Sequence, residues 1–300
     1  MNAVAYMHAF KFTHFDTNGD PKTKHANELS FAGKIKALIL GINNPRPENK
    51  VLPGRPFEVV KLQSNKLIEC WWLKRDSAKG SVILFHGYGG AKNSMLDKAD
   101  IFHNLGYSTL LVDFMGSGGS EGNKTSIGFH EALQVKSAFE YLKGKGEENI
   151  ILFGTSLGAV AIMKALNDHH LEASSIIIEC PFGTMLETVR ARFSTMKLPS
   201  FPMANLLVFW GGMQCGFNAF SHNPVDYASN ISIPTLLLYG EEDEKVSRRE
   251  IDKIFSNLQG VKELKTYLSA GHENYLTKYE TRWTEDISSF IGRIKSPGKY

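Results

Sequence analysis

Cysteine is scarce. There are three in 300 residues, Cys70, Cys180 and Cys215, and they are widely separated. An odd, low count argues against a disulfide framework and against a structural zinc site. Three buried free thiols are the expectation, with one bridge open only in an oxidising compartment. Long apolar runs are missing too: no stretch of 18 or more exists, so nothing in this chain is expected to span a membrane. Neither sign of charge dominates. Lys and Arg number 34 against 31 Asp and Glu, a difference of +3, and no basic patch stands out. Nucleic acid is therefore not an expected partner. No H-E-x-x-H and no Cys/His cluster with ligand spacing occurs, so no metal is expected. Neither is a cofactor. With 42% hydrophobic and 22% charged residues, disordered, collagen-like and coiled-coil chains are ruled out.

Met1–Phe15 (MNAVAYMHAFKFTHF) has no basic n-region, no long apolar core and no small-residue cleavage site. As it stands it is not a signal peptide. The expected compartment is the cytoplasm. The envelope, or export, is the alternative if an anchor has been removed ahead of it. Residues 16–56 are rich in Asn, Pro, Gly and Lys, around a short helical stretch expected over Leu29–Ile42. Residues 1–56 hold too few apolar side chains for a core of their own, so they are read as an arm packed on the rest.

From Phe57 the pattern changes. FEVVKLQS and KLIECWWLK read as two strands joined at Ser64–Asn65. Then follow SVILFHG, YSTLLVDF, NIILFGTS, SSIIIECP, TLLLYGE and LKTYLSAGH, short apolar runs bounded by Gly, Pro or polar residues. Such runs fit strands buried on both faces of a parallel sheet. Helices are expected over Lys92–Leu105, Ser126–Lys145, Leu157–Asn167, Ser247–Leu258 and Glu273–Ile291. Strand and helix in alternation define an α/β domain over 57–300, with a mostly parallel central sheet and helices on both faces. Sites in such sheets form at the C-terminal strand ends.

NIILF ends in Gly154-Thr155-Ser156-Leu157-Gly158 and runs straight into a helix, a G-x-S-x-G motif in a strand–turn–helix setting. A serine on so sharp a turn projects its hydroxyl out of the sheet, and the flanking glycines let strand and helix approach. SVILF ends in His86-Gly87-Tyr88-Gly89-Gly90, a loop able to turn a backbone N–H toward that serine. It lacks the G-x-x-x-x-G-K-[ST] pattern of a phosphate loop. The N–H of Tyr88, with that of Leu157, would make an oxyanion hole. TLLLYGE leads into Glu241–Glu244, and LKTYLSA into Gly271-His272. Serine, acid and histidine then follow in the chain order of a hydrolase triad: Ser156 to attack, His272 to carry the proton, Asp243 to orient the imidazole.

Five segments, HGYGG (86–90), DFMGSGGSEG (113–122), GTSLG (154–158), YGEEDEKV (239–246) and AGHENY (270–275), fall in one order. In them the chain from about Phe57 to Ile291 resembles an α/β-hydrolase of the serine esterase/lipase and serine aminopeptidase-like group. The resemblance implies the α/β-hydrolase fold, the Ser156–His272–Asp243 triad and the oxyanion donors Tyr88 and Leu157. It implies a structural role for Asp113 and its glycine loop, and it makes Glu179 the rival acid, since some relatives place the acid after that earlier strand. Where relatives insert a cap, here about 183–228, residues 198–225 (LPSFPMANLLVFWGGMQCGFNAFSHNPV) carry no charged side chain. A short helical cap is expected, with Phe182, Met203, Phe209 and Trp210 lining a substrate pocket. Arg190 and Arg192 just before it are read as surface or ion-paired residues, with a substrate carboxylate or phosphate as the alternative partner. The expected reaction is hydrolysis of a small carboxylic ester or thioester through an acyl-enzyme on Ser156. Acyl transfer, amide hydrolysis and non-catalytic binding are the alternatives.

Overall fold

The computed structural model describes residues 1–19, 21–23, 30, 33, 37 and 41–294. Most of the helical stretch expected over Leu29–Ile42 lies outside the described residues. Eight strands form one sheet: β1 (Glu58–Gln63), β2 (Leu67–Leu73), β3 (Ser81–Phe85), β4 (Ser108–Val112), β5 (Ile150–Thr155), β6 (Ser175–Glu179), β7 (Thr235–Gly240) and β8 (Lys262–Tyr267). Their spatial order is β1-β2-β4-β3-β5-β6-β7-β8, with β2 antiparallel to both β1 and β4 and every other neighbouring pair parallel. This is the α/β-hydrolase arrangement. Strands β3, β4 and β7 are buried along their whole length, as continuous apolar runs require. Half-exposed β1 closes one edge with alternating polarity.

Helices lie between and after the strands. Before the segment between β6 and β7 come α2 (Leu96–Asn104), α3 (Glu131–Gly144) and α4 (Leu157–Asp168), with a 3₁₀ turn at Lys92–Met95 leading into α2. After it come α8 (Arg248–Asn257), α9 (Tyr275–Lys278) and α10 (Glu280–Ile294). α3 begins at Glu131, five residues later than expected. The Glu131 carboxylate accepts hydrogen bonds from Thr125 Oγ1 at 2.7 Å, Ser126 N at 2.9 Å and Gly128 N at 3.0 Å, which folds 125–130 into a loop. The helix expected over Glu273–Ile291 is split, because Asn274 caps α9 by accepting from Leu276 N and the chain turns again at Tyr279. α8 starts on a capping box: Ser247 accepts from Glu250 N while the Glu250 carboxylate accepts from Ser247 N.

Between β6 and β7, where a cap is expected, lie α5 (Met185–Thr195), α6 (Met203–Cys215) and α7 (Pro224–Ala228). The N-terminal residues form a helix that sequence patterning did not reveal, α1 (Asn2–Thr13). It lies along α6: Tyr6 meets Trp210 edge-on at 5.4 Å, and Gln214 Nε2 donates to the Tyr6 carbonyl at 2.9 Å. Apolar residues lie all round α1, so no stripe at helical spacing marks it.

Candidate active site

The sheet register brings the site together. Phe85 pairs with Gly154, so the 86–90 loop leaves β3 beside the turn that ends β5. Gly240 pairs with Tyr267, so the loops after β7 and β8 also leave side by side. At the β5–α4 turn Ser156 has φ 53° and ψ −109°, a conformation costing about 1–3 kcal/mol that the surrounding packing must hold. Glycine is obligatory on either side. A Cβ on Gly154 would lie 2.5 Å from the Gly158 carbonyl carbon, and one on Gly158 would lie 2.3 Å from the Phe85 carbonyl oxygen.

Ser156, His272 and Asp243 form a continuous relay. His272 Nε2 is 3.1 Å from Ser156 Oγ, and its Nδ1 is 2.7 Å from Asp243 Oδ2. Asp243 Oδ1 accepts from the N–H groups of Lys245 at 2.8 Å and Val246 at 2.9 Å, which fixes the carboxylate. Glu179 is occupied elsewhere. It accepts from Trp283 Nε1 at 2.7 Å and Thr155 Oγ1 at 2.9 Å, and Lys98 Nζ lies 3.8 Å away. Tyr88 and Leu157 both line a small cavity beside the serine turn. Leu157 opens α4, whose first N–H groups have no helical acceptor. The Tyr88 side chain is held by α1: its hydroxyl donates to the Phe12 carbonyl at 2.8 Å, and its ring stacks on Phe12 at 4.5 Å.

Two buried groups brace the floor. His86 Nδ1 donates to the Gly87 carbonyl and Nε2 accepts from Phe114 N, so it serves loop backbone, and burial lowers its pKa. Asp113 accepts from Lys92 N at 2.6 Å, from Asn49 Nδ2 at 2.7 Å, from Gly119 N at 2.8 Å and from the Lys92 ammonium, which also meets Glu69 at 2.9 Å.

The structure does not assemble the expected pocket from Phe182, Met203, Phe209 and Trp210. Phe182 is buried edge-on against His222, Met203 starts α6, Phe209 is 46% exposed, and Trp210 faces α1. The reason is the unforeseen α1, which takes the α6 face that holds Trp210. The cavity at the serine turn is walled instead by Phe15, Phe114, Met115 and Thr125, with Tyr88 and Leu157. Met115 belongs to the glycine-rich 113–122 segment, where nothing in its sequence setting separates a wall residue from a floor residue.

Sequence reasoning also missed two neighbours of His272. Asn274 ties the loop to α2: its Oδ1 accepts from Lys98 Nζ at 2.6 Å, and its Nδ2 donates to Asp97 at 2.5 Å. Cys180, a free thiol at φ 40°, lies against the relay, and one ligand-type atom from each of Cys180, Asp243 and His272 falls within 4.8 Å of the others. Among the described residues this is the one group with donors of metal-binding type, and two of its three members are already joined by the relay. Burial alone would lower the His272 pKa. The interaction with Cys180, the hydrogen bonds to Asp243 and Cys180 and the Asp243 charge outweigh it and raise the pKa to about 10.

Arg192 has no carboxylate partner among the described residues. Its guanidinium lies over the Phe12 ring at 4.3 Å, and burial lowers its pKa. Arg190 is exposed.

A strand-ordered α/β sheet with a serine at a strained β–α turn, a histidine within reach of its oxygen and an acid behind the imidazole defines the α/β-hydrolase class. Within it, the profile of the serine aminopeptidase S33 family matches residues 76–226, and the chain belongs to that family. An uncharacterized protein of Bacillus subtilis strain 168, YqkD, is 24% identical over 218 residues, 71% of this chain and 72% of its own length. The lysophosphatidylserine lipase ABHD12 of Danio rerio is 27% identical over 190 residues, 59% of this chain but 47% of that protein. In fold, the chain is similar to the Pyrococcus furiosus esterase Pf2001, with a TM-score of 0.70, 22% identity and coverage of 84% and 97% of the two chains. It is also similar to Est1E of Butyrivibrio proteoclasticus, with a TM-score of 0.61, 16% identity and coverage of 78% and 98%.

Proposed function

We propose that the chain is a serine carboxylesterase that works through an acyl-enzyme on Ser156. The observation that carries this is the unbroken relay of Ser156, His272 and Asp243, with distances of 3.1 and 2.7 Å. Ser156 Oγ attacks the ester carbonyl and gives its proton to His272 Nε2. The carbonyl oxygen gains the negative charge and is met by the N–H groups of Tyr88 and Leu157. His272 returns the proton to the leaving alcohol. Water repeats the sequence from the other side, and Ser156 is restored. Asp243 keeps the Nδ1 proton in place and stabilises the imidazolium. A panel of p-nitrophenyl esters of increasing chain length, with a fluorophosphonate probe of the nucleophile, tests the reading. No turnover of any member and no labelling would reject it.

The raised His272 pKa sets the pH dependence. The imidazole acts as a base only when neutral, and below its pKa the neutral fraction falls about ten-fold per pH unit. kcat/KM is therefore expected to climb with pH on the alkaline side of the ordinary histidine value, toward a pKa of about 10. Cys180→Ala removes the partner that raises it most, so the rising limb should move to lower pH. A limb that stays in place in that variant would show that Cys180 does not act on the imidazole.

The unpaired Arg192 favours a substrate that carries a carboxylate or phosphate. Phe12 is common to Arg192 and Tyr88, so the guanidinium and the oxyanion-side loop share one wall. Arg192→Gln is expected to raise KM for an ester with an anionic group by about ten-fold, the effect of one charge-assisted contact, and to leave a neutral ester of equal length unchanged. Equal effects on both esters would remove this preference.

A further inference from the structure

We infer that α1 and the cap form a docking face for an anionic lipid bilayer. Ten of the seventeen exposed large apolar side chains among the described residues lie in residues 1–13 and 183–228, about a fifth of the chain. On α1, Met7 and Phe10 are 36% and 38% exposed; on and around α6, Phe201, Phe209 and Met213 are 75%, 46% and 62% exposed. The two helices are packed side by side through Tyr6, Trp210 and Gln214, so their apolar side chains flank one seam. Helices of 12 and 13 residues, roughly 18–20 Å long and about 10 Å apart, present on the order of 400 Å². A patch of that size matches the largest apolar patch of a typical monomer, which is often functional.

Charge selects the occupant. Residues 1–13 and 183–228 contain two acids, Glu187 and Asp226, against Lys11, Arg190, Arg192 and Lys197. At the chain-wide density of 31 acids in 300, these 59 residues (13 + 46) would hold about six. Lys197 stands between Met196 and Leu198, both exposed, so a cation and apolar side chains are offered together. Apolar groups entering the acyl boundary with cations at the headgroups is how an interfacial helix binds. A second copy meets this face less well, because a two-fold contact sets like charges against each other.

The face lies on the same elements that reach the site, since Phe12 of α1 and Arg192 of α5 meet at Tyr88. A substrate that partitions into the bilayer would then be delivered beside Ser156. Lipid binding itself needs no turnover, so its test is separate from that of the esterase reading.

The test is co-sedimentation of the full chain with vesicles of phosphatidylcholine alone and of phosphatidylcholine mixed with phosphatidylglycerol. Wild type is expected to pellet with the mixed vesicles, and salt should weaken the binding. The combined variant Met7→Ser, Phe201→Ser, Met213→Ser alters exposed positions only, and circular dichroism verifies its fold. It should bind about ten-fold more weakly or worse. Arg190→Glu with Lys197→Glu should reduce binding to the mixed vesicles alone. Three results would overturn the proposal: no pelleting with either lipid, variant binding equal to wild type, or a wild-type dimer that the apolar variant breaks while neither protein binds vesicles. Equal pelleting with both lipids would overturn the anionic assignment.

Discussion

Ser156→Ala is expected to reduce p-nitrophenyl ester turnover by about 10⁴-fold or more, with the melting temperature unchanged or raised. The loss is large because the proposed relay acts as a unit: without Oγ, the His272 base has no proton to take and no covalent intermediate forms. The fold should survive. The turn is held by the close approach of Gly154 to Gly158 and of Gly158 to Phe85, and the hydroxyl takes no part in either contact. Labelling by a fluorophosphonate should vanish in parallel. Turnover within ten-fold of wild type would place the nucleophile elsewhere.

Asp113→Ala is expected to destabilise the fold by about 3–5 kcal/mol, because it strands the buried Lys92 ammonium with only Glu69 opposite. The same pair gives the fold an acid-sensitive element. Burial opposes ionisation of Asp113, but the Lys92 charge and the hydrogen bonds from Lys92 outweigh it, so its pKa is lowered. A carboxyl depressed in the folded state contributes stability that is fully present above its unfolded value, about 4, and is lost as pH falls through the folded value. Urea titrations at neutral and acid pH read both effects. The wild-type midpoint should fall with acidification, and the variant should start lower and respond less. A variant as stable as wild type at neutral pH would show that the buried cation finds other compensation.

The sheet was legible because each parallel strand is a short apolar run closed by Gly, Pro or a polar residue, and such runs leave few alternatives. The three relay residues were legible because each sits at a strand end, where register brings sequence-distant positions together. Helix starts were less so: Glu131 and Asn274 set boundaries through side-chain bonds that hydrophobic periodicity does not encode. The pocket expectation fell on the wrong residues because a charge-free, aromatic-rich segment fits a buried wall and an exposed face equally well. What decided between them for Trp210 was α1, some 200 residues earlier in the chain, and no local pattern carries that pairing. The free thiol expected at Cys180 is present, but its place against His272 depends on how the loops after β6 and β8 converge.

The seam between α1 and α6 has a consequence for synthesis. Asn2 and Trp210, bonded at 3.3 Å, are separated by 208 positions. At translation rates of about 5–20 residues per second, the first helix must wait roughly 10–40 s for its partner to emerge. Through that interval Asn2 and Tyr6 are without their α6 partners Trp210 and Gln214. The α1 segment is therefore expected to be an early chaperone client.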